Sequence, residues 1–237
     1  YNWDVLDMVN INGRSLTSEL VESIELKGIL KVTSNYDEGR RGQWRIIREY
    51  FPSTDQPALV ESYQIINTGK NELAIELPQI NQKSITDPKK GVTGSFCIET
   101  LTDKSGHFTL QPGESLTFGA SLLAYKEGEK APLIDVQKEK GQREALVGEL
   151  MNKLVLETPD PIIDRMFAFS KIRGCESIYE TKGGPMHGPG GESYYAAIWA
   201  NDQAEYINPF FPFLGYGTGN ESALNSFKHF ARFMNDE

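Results

Sequence analysis

Cysteine is nearly missing from this chain: of 237 residues only Cys97 and Cys175 carry a thiol, far apart and outside any CxxC spacing. That excludes a disulfide framework and a thiolate zinc knuckle, and leaves both as small residues expected in the interior. Histidine is almost as scarce. His107, His187 and His229 are scattered and none belongs to an HExxH-type ligand spacing, so no metal site and no cofactor is implied. No apolar run approaches the ~20 residues of a bilayer-spanning helix, and no basic-then-apolar segment opens the chain, so no membrane span is expected. Basic clusters are absent as well. A total of 24 Lys and Arg against 33 Asp and Glu gives a formal charge of -9, the wrong sign for a phosphate backbone, and nucleic acid drops out as a partner. Without a GxSxG elbow or a cysteine in a catalytic setting, covalent catalysis by serine or cysteine has no support.

What is present is ordinary globular material: 39% hydrophobic, 11% aromatic and 24% charged residues, enough to fold and, at this length, to fill two domains. Residues 22–33, ESIELKGILKVT, set Ile24, Leu26, Leu30 and Val32 on one face and Glu25, Lys27 and Lys31 on the other, which predicts a half-buried strand. Further strands are expected at QWRIIREYF, ALVESYQIIN, ELAIELPQI, GSFCIETL, HFTL and SLTFGASLLAY, separated by the turn clusters NTGKN, TDPKKG and QPGES. Short strands at such spacing predict an antiparallel β-sandwich.

The period then changes. From Glu139 to Leu156 the apolar positions Leu146, Val147, Leu150, Met151 and Leu154 recur at three and four, the stripe of an amphipathic helix. In TPDP, Asp160 suits a helix cap and Pro161 the first helical position. Ile162, Ile163, Met166, Phe167, Phe169, Ile172 and Ile178 then surround a helix expected to pack on several sides. A glycine-rich loop, TKGGPMHGPGGE, leads to a helix near 201–215 disturbed by Pro209 and Pro212, and to another near 220–234. The order is all strands, then all helices. It predicts an α+β multi-domain chain: a β-sandwich over residues 1–130, a linker helix within 131–158, and the start of a helical domain over 159–237.

The loop GPMHGPGGE has neither the Lys-Ser ending of a P-loop nor a strand leading into it, and its prolines remove amides that would hold a phosphate. It is expected to be a tight turn of glycines. The segment after it is denser in chemistry. Tyr194, Tyr195, Trp199 and Tyr206 offer flat apolar faces beside Asn201, Asp202, Gln203 and Glu205, and His187 is the one histidine in crowded surroundings. A sugar asks for this combination, since its C–H faces stack while its hydroxyls need directional partners. Capping and dipole compensation at a helix start would equally explain Asn201 and Asp202, and buried core packing would explain the aromatic residues.

The domain order, the segment TPDPIIDRMFAFSKIRGCES and the run YYAAIWANDQAEY together resemble the six-hairpin glycosidases, among them glucoamylases and glycogen-debranching enzymes. The resemblance implies an (α/α)6 toroid behind an N-terminal β-sandwich, of which this chain supplies only the first hairpins, and a glycoside hydrolase acting on an oligo- or polysaccharide. In that family a tryptophan followed closely by an aspartate opens an early toroid helix and the aspartate binds hydroxyls of the sugar at the cleavage site; Trp199 and Asp202 match. Asn201 stands where the glucoamylase-like pattern usually carries arginine. Tyr195 and His187 complete the expected substrate-binding set. The catalytic acid and its partner usually lie on later helix connections, so neither is assigned; Glu192 and Glu205 are not taken as substitutes. A start at Tyr1 and an uncapped final helix are read as a piece of a longer protein; they leave the compartment open, the periplasm or secretion from a bacterium being one expectation. The alternatives are a non-catalytic carbohydrate-binding or structural protein, and an adhesion module in which the aromatic residues are core.

Overall fold

A computed structural model of the chain describes residues 4–90, 94–188 and 198–235, which divide into two compact units, Tyr1–Glu144 and Ala145–Glu237. In the first unit alternation becomes sheet. After the two short strands β1 (Asn10–Ile11) and β2 (Arg14–Ser15), the chain forms β3 (Glu19–Leu26), β4 (Leu30–Asp37), β5 (Gln43–Pro52) and β6 (Ala58–Asn67). These are followed by β7 (Leu73–Leu77), β8 (Asn81–Ile85), β9 (Phe96–Thr102), β10 (Gly106–Leu110) and β11 (Ser115–Lys126). All neighbours pair antiparallel, in a seven-stranded sheet of order β3-β4-β5-β6-β11-β9-β8 and a four-stranded sheet of order β10-β7-β1-β2.

The two sheets share one core, which makes the unit sandwich-like. From the larger sheet come Tyr36, Trp44, Ile46, Tyr63, Ile65 and Phe118; from the smaller come Ile11, Leu73, Ile75, Leu77 and Leu110. Register brings aromatic partners directly opposite each other. Tyr36 faces Trp44 across β4 and β5 with ring centroids 5.6 Å apart, and Tyr63 faces Phe118 across β6 and β11 at 4.9 Å, both stacked. Such cross-strand pairs are what hold a sheet in register.

The segment 22–33 is not one half-buried strand. It spans the β3–β4 hairpin, and Leu20, Val21, Ile24 and Leu26 are exposed on β3, an edge strand interrupted by a bulge between Val21 and Ser23. The alternation was real, but a partner on the buried side was not guaranteed by it.

On the other face of the large sheet lies the first part of α1 (Val136–Asn152). The Asp135 carboxylate accepts from the amides of Gln137 and Lys138, both at 3.1 Å, and caps its start. The helix approaches β11 closely where Gly119 has no side chain: a Cβ there would collide with Val136. Arg143 adds a fork of two bonds, 2.9 and 2.7 Å, to the carbonyl of Gly28 in the β3–β4 turn.

In the second unit, α2 (Pro161–Glu176) starts as its sequence predicts, with Asp160 accepting from the amide of Ile162 at 2.8 Å and Pro161 in the first turn. It does not pack on several sides. Ile162, Ile163, Met166 and Phe169 are exposed, Ile178 belongs to a following strand, and the buried residues are Lys171, Ile172 and Cys175. Lys171 is buried because it closes the end of α1: its ammonium donates to the carbonyls of Met151 and Lys153 at 2.9 and 2.6 Å. Those carbonyls are left over when a helix ends.

The order of all strands then all helices also needs correction. Part of the glycine-rich loop is a hairpin, β12 (Ile178–Thr181) paired with β13 (Gly184–His187). Gly184 turns it with φ at +91°, and a Cβ on either Gly183 or Gly184 would strike His229 or Asn225. These belong to α4 (Gly217–Ala231), which follows α3 (Asn208–Leu214). A small core of Leu150, Cys175, Phe211, Leu214 and Ala223 joins the helices. No helix among the described residues is long and apolar enough to cross a membrane.

Candidate functional site

The segment from Trp199 onward does not enter a plain α-helix. Asp202–Ile207 is π-helical, the amide of Asn208 reaching back five residues to the carbonyl of Gln203, while the amide of Gln203 itself makes an α-type bond to the carbonyl of Trp199 at 3.1 Å. A wider turn of this kind changes which residues face inward. Gln203 is the one turned in. It is fully buried, and its side-chain amide donates to the carbonyl of His187 at 2.5 Å. The amide of His187 in turn donates to the Ser222 hydroxyl of α4 at 2.8 Å. The end of the hairpin is thereby tied to the π-helical segment on one side and to α4 on the other.

His187 is buried, and its ring meets Phe211 edge-on at 6.2 Å. Burial lowers its pKa below the ordinary value, the nearby Asp202 carboxylate opposing the shift in part. Its Nδ1 has no hydrogen-bond partner among the described residues, and the same holds for Gln203 Oε1 and Asn208 Oδ1. Asn208 is anchored through its other end, the amide donating to Ser226 Oγ at 2.7 Å. Buried polar atoms of this sort are costly unless satisfied, so several lie in one small region that is unusually polar for the heart of a helical unit.

Of the residues expected from sequence, the fold brings His187, Trp199, Asn201 and Asp202 to this region, while Tyr195, together with Tyr194 and Glu192, lies outside the described residues. Trp199 is 46% exposed and Tyr206 68% exposed, so neither of these rings serves as core. Asn201 is exposed and helical in conformation, and its side chain makes no capping bond. Asn201 therefore does not act as a cap, while Asp202, half-buried, sits in the first turn, where a carboxylate complements the helix dipole. Sequence reading gave Gln203 no special place and missed Ser222 altogether. Nothing in WANDQAEY marks the glutamine as the buried member, because its partner, the carbonyl of His187, comes from the preceding hairpin. Among the described residues no group of His, Cys, Asp and Glu is placed to hold a metal ion.

What this arrangement offers chemically is an exposed indole at Trp199 and, three residues on, a half-buried carboxylate at Asp202, on a segment tied to the hairpin by the buried Gln203 amide. No protein-family model and no curated protein matches the chain.

Proposed function

We propose that the helical unit carries part of the sugar-binding subsite of a glycoside hydrolase acting on an oligo- or polysaccharide, and that its helices belong to an (α/α)6-type arrangement. The observation that carries this is an exposed Trp199 ring three residues before the half-buried Asp202 carboxylate, on a segment anchored through Gln203 to His187. An indole stacks on the C–H face of a pyranose, and an ionised carboxylate accepts from adjacent hydroxyls with charge-assisted bonds. His187, neutral at pH 7 because burial disfavours its cation, acts here as a wall and an anchor through its backbone.

Hydrolysis of a glycoside needs one carboxylic acid to protonate the leaving oxygen and one carboxylate to activate water or attack the anomeric carbon. Asp202 is given neither part; it binds. The test is hydrolysis of a glycoside panel by the wild-type protein and by Asp202→Asn. A loss of about ten- to a hundred-fold in kcat/KM supports the assignment, the magnitude expected when a charge-assisted bond of about 1.5–3 kcal/mol is removed. Unchanged hydrolysis by the variant removes Asp202 from the subsite. Calorimetric binding of a glycan without any product formed supports the non-catalytic carbohydrate-binding alternative.

A further inference from the structure

A second polar site lies in the first unit, on the face of the large sheet turned away from the sandwich core. Antiparallel register lines up Lys31, Glu49 and Ser62 in one row across β4, β5 and β6, and Ile47, Gln64 and Thr117 in the next row. The first turns of α1, held in place by Val136 over Gly119, rise beside these rows and contribute Lys140. Between sheet and helix is a cavity of about 310 Å³, at the lower end of the ~300–1,000 Å³ range of small-molecule sites.

Charge decides what fits. Lys31 stands directly opposite Glu49 on one side and Glu25 on the other, the usual arrangement for a cross-strand ion pair. Neither glutamate is its partner. Glu49 is taken by Lys140 from the helix at 2.6 Å, Glu25 by Lys27 at 3.8 Å, and Lys31 makes no ion pair among the described residues. Lys140 is shared between Glu49 and Glu144, the latter at 3.9 Å, so of the two ammonium groups lining the cavity Lys31 is the one without a carboxylate partner among the described residues. Around Lys31 stand two hydroxyls, a primary amide and one apolar surface, from Ser62, Thr117, Gln64 and Ile47.

We infer that this cavity binds a small polyhydroxylated monocarboxylate, a uronic acid unit. Its carboxylate meets Lys31, its hydroxyls meet Ser62, Thr117 and Gln64, and a C–H face lies on Ile47. One unpaired ammonium suits one carboxylate and not a phosphate dianion, and a neutral sugar would leave Lys31 without a counterion. The site is independent of Asp202, which belongs to the other unit.

Titration calorimetry of the whole chain with glucuronate, glucose and inorganic phosphate tests it. Glucuronate is expected to bind at least about ten-fold tighter than glucose or phosphate, a difference of about 1.4 kcal/mol. Lys31→Gln should erase that preference, and Thr117→Val, an isosteric change, should weaken glucuronate and glucose alike while circular dichroism stays unchanged. The readout is glucuronate preference at a site in the first unit and involves no hydrolysis, so a failed glycosidase assignment would not touch this result. Equal binding of glucose and glucuronate, equal binding of phosphate, or a Lys31→Gln variant that retains the preference overturns the inference.

Discussion

Gln203 shows how much one side chain can decide. Its amide supplies the bond that joins the hairpin carbonyl of His187 to the π-helical segment, in a place closed to water. Gln203→Leu keeps the volume and leaves that buried carbonyl unpaired, a cost of about 1–3 kcal/mol. Urea unfolding followed by circular dichroism should show the loss, and a variant as stable as wild type would mean the bond contributes nothing. His187 makes a pH-dependent prediction. Its pKa is held below the ordinary 6.5 in the folded chain, so the unfolded chain binds the extra proton first as pH falls. The stability that its neutral form provides is fully present above about pH 6.5 and is lost as pH drops through the unfolded value toward the folded one. Urea midpoints between pH 7.5 and 5 should fall for wild type and fall less for His187→Gln; parallel curves would show that other groups carry the dependence.

At the scale of elements, the contact of α1 on β11 depends on an absent side chain. Gly119→Ala would force Val136 off the sheet and cost about 1–3 kcal/mol, as overpacked interiors do. Val136→Ala added to it should recover part of that loss, so that the two changes are far from additive. Additive effects in the double-mutant cycle would place the two residues out of contact. The central strands were legible in the sequence because aromatic and β-branched residues alternate along them and glycine, proline and asparagine punctuate them. The start of α2 was legible for a similar reason: Asp160 and Pro161 are local signals, each complete within a few residues. What could not be read was set by distant partners. The exposed strand β8, NQKSI, has no apolar face to announce it and exists because β9 pairs with it. The β12–β13 hairpin hid among glycines whose purpose, room for His229 and Asn225, appears only when α4 arrives. Trp199 and Asp202 stood out by type, whereas the anchor Gln203 is defined by a partner on the preceding hairpin, the carbonyl of His187.

On the whole-molecule scale the two units differ in how much interior they possess. The sandwich buries a broad aromatic core, whereas the helical unit buries little and leaves Ile162, Ile163 and Met166 on α2 and Leu224 and Phe227 on α4 in view. Unfolding in guanidinium should therefore proceed in two steps, the helical unit first, since stability follows the apolar area withdrawn from water. Trp44 reports on the sandwich and Trp199 on the helices; comparing Trp44→Phe with Trp199→Phe by fluorescence separates the two transitions, and coincident midpoints would contradict this order. A related hazard attends β3. An edge strand carrying exposed Leu20, Val21, Ile24 and Leu26 is an open template on which another chain's strand could add. The bulge at Glu22 interrupts that template, and the residue it leaves unpaired in the ladder is a carboxylate held by Arg45 and Asn35. A single surplus residue in one strand thereby breaks the regular row of amides and carbonyls on which an added strand would have to pair.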